Sequence, residues 1–140
     1  STRIFPDDPR FANPRSMPEA IADYCAEKGL QAPQSDAQFV RCIFLSLAAR
    51  YREVLDMLRQ LSPVPIEKLH VIGGGSQNDL LNRLTANEIG IPVVAGPSEA
   101  TAIGNCLVQA MAAGWVKDRW HMRRIIAESF PLKTFYPEKE

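Results

Sequence analysis

The run at residues 66–78, IEKLHVIGGGSQN, constrains this chain more than any other stretch. The apolar residues Leu69, Val71 and Ile72 give way to Gly73-Gly74-Gly75-Ser76, and a helical apolar pattern follows over residues 78–89, closed by Gly90. That order reads as strand, glycine turn, helix. Such a turn aims backbone N–H groups and the positive end of a helix dipole at whatever lies above it, which suits a phosphate or the polar edge of a nucleotide. A tight bend alone also asks for glycine, but ordinarily for one. Each glycine adds to the backbone entropy lost on folding, so three in a row favour close approach by a ligand.

The turn fits neither standard phosphate fingerprint. A GxGxxG pattern fails because Asn78 stands where the third glycine belongs, and no acidic residue follows Val93-Val94-Ala95-Gly96 to hold a ribose hydroxyl. NAD is therefore disfavoured. No glycine-lysine-serine or glycine-lysine-threonine follows the turn, which excludes a Walker P-loop. Any grip on phosphate comes from the backbone alone. Asn78 reads either as an ordinary helix cap or as a side chain offering both a donor and an acceptor to a base.

Around this unit the chain is helical. Ser16-Met17-Pro18-Glu19 has capping-box spacing and predicts a helix over 17–28 that stops at Gly29. Ser35-Asp36-Ala37-Gln38 opens a longer one, with Val40, Ile43, Phe44, Leu47, Tyr51, Val54, Leu55 and Leu58 as its core-facing stripe and Arg41, Arg52, Glu53, Asp56 and Arg59 opposite. Ser62-Pro63-Val64-Pro65 ends it. Residues 91–95 predict a second strand, parallel to the first in a βαβ unit. Ser98 is expected to cap a helix over 99–113 with Ala100, Ile103, Leu107 and Met111 buried, and Gly104 beside that stripe would let the helix approach the sheet. A short helix over 118–128 and a docked tail over 130–137 complete the reading. Two strands are few for a covered α/β sheet, so strands are expected to be missing. The opening, with Pro6, Asp7, Asp8, Pro9, Asn13 and Pro14, reads as loop, as if the chain began mid-fold.

Composition excludes several classes. Sixteen Lys plus Arg balance sixteen Asp plus Glu in 140 residues, so no charge excess argues for a nucleic-acid or membrane partner. The longest apolar run, residues 42–49, is interrupted by Ser46 and falls far short of the ~20 residues that span a bilayer. STRIFPDDPRF has no apolar leader, and a cytoplasmic protein is the default expectation. Cys25, Cys42 and Cys106 match neither a disulfide framework nor a zinc spacing. Cys25 and Cys42 fall on successive helices, where a disulfide is geometrically allowed although a reducing cytoplasm opposes it. His70 in the strand and His121 in the basic segment 119–124 lack convergent partners and read as structural. The acidic residues form no acid/base pair or metal-ligand cluster; Asp7 and Asp8 are adjacent but loop-borne. No catalytic or metal-ligating residue is assigned.

The sequence resembles the C-terminal part of the FGGY family of carbohydrate kinases through nearly its whole length. The likeness runs through Asp8-Pro9-Arg10-Phe11-Ala12-Asn13-Pro14, Met17-Pro18-Glu19-Ala20-Ile21 and Arg41-Cys42-Ile43-Phe44 with Ser46-Leu47. Its most specific parts are His70-Val71-Ile72-Gly73-Gly74-Gly75-Ser76-Gln77-Asn78 with Leu80-Leu81-Asn82, and the stretch from Ala95-Gly96-Pro97-Ser98-Glu99-Ala100 to Gly104-Asn105. Within the family, the GGGxQN and AGPxEA forms point to members that use Mg-ATP to phosphorylate L-rhamnulose on its 1-hydroxyl.

The resemblance implies a fold class of α/β with a partial ribonuclease-H-like domain, as in actin and the heat-shock ATPases, helix-rich with a parallel βαβ unit. It also implies that ATP and Mg2+ serve the whole enzyme, that Gly74 passes close to the nucleotide, that Asn78 faces the adenine, and that Gly73 and Gly75 shape the turn. Glu99 and Gly104 match a second family motif with a structural role. The N-terminal sugar domain, the phosphate-binding hairpin, the catalytic aspartate and the leading strands have no counterpart here. The chain thus reads as a fragment, inactive alone and prone to self-association through an open sheet edge. A non-catalytic nucleotide-binding or interaction module and a kinase for another sugar of the family are the alternatives.

Overall fold

The computed structural model describes residues 2–138, which fall into two compact units divided between Pro65 and Ile66. In the first, α1 (Met17–Glu27) and α2 (Asp36–Leu61) begin where the capping boxes predict: the Ser16 and Ser35 hydroxyls accept from the N–H groups of Glu19 and Gln38. Ile4, Ile21, Tyr24, Cys25 and Cys42 form the core, with Phe11, Met17 and Phe39 against it. The proline-rich opening is tied down. Ile4 N–H donates to Ser46 Oγ at 2.9 Å, Ser46 Oγ donates to the Cys42 carbonyl at 2.6 Å, and Phe5 N–H donates to the Tyr24 hydroxyl. Arg10 lies over the Tyr24 ring and pairs with Asp8 and Glu27, holding both carboxyls below their usual range.

One expectation changes in this unit. Of the eight residues assigned to the core-facing stripe of α2, only Leu55 is buried; Val40, Tyr51, Val54 and Leu58 are exposed, and the buried face carries Cys42, Leu45, Ser46 and Ala48. The helix is apolar on two sides, and the core lies on the side with the smaller residues. Cys25 and Cys42 are both buried free thiols of the same cluster. Burial raises both pKa values, which disfavours the reactive thiolate.

The second unit contains β1 (Leu69–Val71), a 3₁₀ turn (Gly74–Gln77), α3 (Asp79–Ile89), β2 (Val93–Ala95), α4 (Ala100–Ala112), α5 (Arg119–Ser129) and β3 (Lys133–Phe135). β1 and β2 are parallel, with His70 opposite Val94, so the βαβ unit is as expected. Gly90 closes α3 in the left-handed region, at φ 71°, satisfying the helix end as glycine at this position does. The tail docks, but as a third strand: β3 runs antiparallel to β2, giving a mixed sheet in the order β1-β2-β3. β1 is an edge strand, and Ile72 just beyond it is exposed.

α4 departs most from expectation. It starts after a turn at Ser98–Glu99, so Glu99 occupies the cap position without a side-chain bond and Ser98 does not cap. None of its residues is buried; Ala100, Ile103 and Leu107 are half-buried and Met111 is exposed. A side chain at Gly104 would meet nothing within 4 Å, so no close contact there requires glycine.

Two buried hydroxyls make opposite contributions. Ser46 has both a donor and an acceptor satisfied, whereas Thr85 Oγ1 is buried with no partner. Removing a partnered buried group costs about 1–3 kcal/mol, while exchanging an unpartnered hydroxyl for a methyl relieves a desolvation penalty. Ser46→Ala is therefore expected to lower the unfolding free energy by about 2 kcal/mol and Thr85→Val to raise it by about 1 kcal/mol. Urea unfolding of the two variants checks both signs.

Candidate functional site

The glycine turn is held by a set of hydrogen bonds to three of its carbonyl oxygens. The Gly73 carbonyl accepts from Ser76 N–H at 3.0 Å and from Ser76 Oγ at 2.7 Å. The Gly75 carbonyl accepts from Asn78 N–H, and the Ser76 carbonyl accepts from Asn82 Nδ2 at 2.9 Å. Ser76 and Asn82 are both buried. Neither stood out in the sequence as a site residue. The available signal was a polar residue at Asn82 on the face of α3 that also buries Thr85, Ala86 and Ile89.

The three glycines are not equivalent. Gly73 has φ 77° and ψ −168°, a conformation that L side chains rarely adopt, so the shape of the turn depends on it. Gly74 and Gly75 are not among the positive-φ residues, and a side chain at either would meet nothing within 4 Å. Nothing in the chain itself requires glycine at those two positions. They form a bare, exposed stretch of backbone.

The following loop is laced to this turn. Gly73 N–H donates to the Pro97 carbonyl at 3.3 Å and Gly96 N–H to the Val71 carbonyl at 2.8 Å, which brings the two most specific stretches of the sequence side by side. Gly96 has φ 107°, and a β-carbon there would lie 3.3 Å from the Pro131 carbonyl oxygen. Glycine is demanded at 96 because the tail leading into β3 passes over it.

Asn78 is the N-cap of α3, its Oδ1 accepting from Leu81 N–H at 3.0 Å. The ordinary-cap role is therefore real, and it leaves the Nδ2 donors to be offered elsewhere. Asp79 follows at the first helical position, and its carboxylate pairs with Lys133 Nζ at 2.9 Å. A helix start already capped by Asn78 and faced by a carboxylate is a poor place for a phosphate, because its partial positive charge is already offset.

The remaining candidates stay separate from the turn's hydrogen-bond network. His70 is exposed on β1; desolvation of its ring, together with the charges of Lys68 and Arg123, lowers its pKa, so it is neutral at pH 7. No carboxylate is among the groups that shift it, which leaves it without the orienting acid of a catalytic base. His121 Nδ1 accepts from Lys117 N–H beside Asp118, the N-cap of α5, and closes the start of that helix. Cys106 is exposed. Among the described residues there is no group of three or more His, Cys, Asp or Glu side chains that could hold a metal ion, and no helix long and apolar enough to cross a membrane.

Comparison with known proteins gives a consistent result. The model of the FGGY family of carbohydrate kinases, C-terminal domain, matches residues 2–113. A rhamnulokinase of Bacteroides thetaiotaomicron is 62% identical over 135 residues, covering 96% of this chain and 28% of that protein. Rhamnulokinases of Pectobacterium atrosepticum and Bacillus subtilis are 50% and 42% identical, covering 98% and 94% of this chain and 28% and 27% of the relative. The chain thus spans little more than a quarter of the length of these curated relatives.

Proposed function

The chain belongs to the FGGY family of carbohydrate kinases, and from that premise we propose that it is the adenosine-binding wall of an ATP-dependent kinase that converts L-rhamnulose to L-rhamnulose 1-phosphate. In this reading the 140 residues are the C-terminal portion of the nucleotide-side domain, with a partial ribonuclease-H-like fold, and the sugar domain lies outside them. Gly74 passes close to the nucleoside, Asn78 turns its Nδ2 donors toward the adenine, Gly73 shapes the turn and Gly75 extends its bare surface. ATP and Mg2+ would serve the whole enzyme; among the described residues no group of three or more His, Cys, Asp or Glu side chains could hold the metal by itself. The enzyme is cytoplasmic.

The observation that carries this reading is the bare backbone at Gly74 and Gly75: the fold leaves both positions open to solvent, with no internal reason for glycine. A nucleoside lying against them supplies one. The helix-rich α/β architecture and its small mixed sheet are compatible with the fold assignment.

The specific sugar rests on the rhamnulokinase relatives, because no residue here is placed on the sugar. The test is a panel of ketoses offered with Mg-ATP to the full-length enzyme. L-rhamnulose is expected to support the highest kcat/KM, and a clear preference for another sugar would overturn that part of the proposal. The isolated chain is expected to self-associate through the unpaired edge of β1 and through exposed apolar residues such as Leu58, Leu61 and Val108. Sedimentation velocity at rising concentration reads this, and a single monomeric species throughout would count against it.

A further inference from the structure

We infer that Asn82 and Ser76 are positioning residues for the nucleotide, acting through the glycine turn; the inference rests on the proposed adenosine-binding role of that turn. Within the turn, the carbonyls of Gly73, Gly75 and Ser76 all accept hydrogen bonds from the chain, two of them from side chains. Ser76 Oγ holds the Gly73 carbonyl at 2.7 Å, and Asn82 Nδ2 reaches back six residues from α3 to hold the Ser76 carbonyl at 2.9 Å.

The consequence is electrostatic. A ligand reaching the exposed backbone of Gly74 and Gly75 meets a turn in which the carbonyls of Gly73, Gly75 and Ser76 are already engaged by donors of the chain and so are less able to repel its acceptor atoms. Glycine-rich backbone has little steric resistance to rotating a peptide plane, because no β-carbon opposes it. The side chains of Ser76 and Asn82 supply the resistance that the glycines lack.

Burial makes this economical. Asn82 is 1% exposed and Ser76 6% exposed, so neither touches a ligand on the open face. Their donors work against a low-dielectric background, where a hydrogen bond holds its geometry tightly and an unmet carbonyl is costly. Asn82 is further fixed by its place in the first turn of α3, its own N–H donating to the Asn78 carbonyl. The cap residue and the positioning residue are thus joined, so that the start of the helix and the shape of the glycine turn are set together.

The experiment compares Asn82→Leu, which keeps the size and removes the donor, and Ser76→Ala with wild type in the full-length kinase. Gly74→Trp serves as the probe of the turn itself. ATP affinity is measured by calorimetry, KM for ATP and for sugar by steady-state kinetics, and melting temperature by calorimetric scan. The inference predicts that both variants raise the ATP Kd and KM about fivefold or more, with sugar KM and kcat within twofold of wild type. Addition of the two substitutions should be less than multiplicative, because they hold one turn. If Gly74→Trp weakens ATP but Asn82→Leu and Ser76→Ala leave it unchanged, the adenosine reading stands and the positioning role is overturned. If Gly74→Trp also has no effect, both fall. Equal losses for ATP and sugar that follow melting temperature would show general destabilisation and overturn the inference as well. Should Asn82→Leu not fold, Ser76→Ala alone decides by the same split between ATP and sugar.

Discussion

Gly74→Trp in the full-length kinase is expected to weaken ATP binding about tenfold or more, with sugar affinity unchanged within twofold. The size follows from forcing a bulky group into a packed contact, which costs about 1–3 kcal/mol, when each 1.4 kcal/mol is a factor of ten in affinity. What makes the variant informative is that the fold gives it no reason to misbehave otherwise. A β-carbon at Gly74 meets nothing within 4 Å, and the residue does not need a positive φ. Substitution at Gly73, by contrast, would strain the backbone at φ 77° and confound binding with folding. Calorimetric titration of ATP and sugar, with the melting temperature as a control for folding, separates the cases. Unchanged ATP affinity would remove Gly74 from the nucleotide site.

That contrast among three neighbouring glycines also shows what could be read before the fold was in hand. The strand, turn and helix around residues 66–89 were legible because each has a local cause: apolar residues in β1, glycines in the turn, and a cap at Asn78. Which glycine shapes the turn and which leaves it bare was not legible, since that depends on φ and on what lies nearby. The anion-binding character suggested by a helix start was weakened by Asp79 and by the capping bond of Asn78, both of which are local, whereas the Lys133 ammonium that pairs with Asp79 comes from 54 residues away and was not legible. β3 escaped notice for the same reason. Its three residues lie in a proline-flanked tail, and only pairing with β2 makes them a strand.

Errors on the long helices have a different source. Periodicity shows which residues share a face but not which face finds a neighbour. In α2 the face bearing Val40, Tyr51, Val54 and Leu58 was the more apolar, yet the core formed on the side of Cys42, Leu45 and Ala48. In α4 the apolar stripe is half-buried at best. Ser46 looked like an interruption in an apolar run and is instead the buried polar link between the opening segment and α2. Asn82 is the same kind of case within the candidate site: a polar residue on a buried helix face whose partner is a carbonyl of the turn.

The purified 140-residue chain is expected to show no sugar-dependent ATP turnover, at least about 10⁴-fold below the full-length enzyme. Phosphoryl transfer is governed by positioning of the two substrates and by stabilisation of charge on the transferred group, and a positioned general base contributes about 10²–10⁴-fold alone. In the proposed reading the described residues provide one side of that arrangement. They include no metal-ligand cluster, and neither histidine is built as a base: desolvation, then the charges of Lys68 and Arg123, lower the pKa of His70, and His121 is occupied at the start of α5. On the proposed reading, the bare turn at Gly74 and Gly75 would hold a nucleoside without bringing an acceptor hydroxyl in line with its phosphates. Coupled ADP-release assays on the isolated chain and on the full-length enzyme, with ATP and L-rhamnulose saturating for the latter, measure the difference. Sugar-dependent turnover by the chain alone, abolished by Gly74→Trp, would mean that these residues contain the catalytic groups as well as the adenosine wall. Loss of turnover together with retained ATP binding would locate the division of labour at this segment, with nucleoside recognition inside it and chemistry outside.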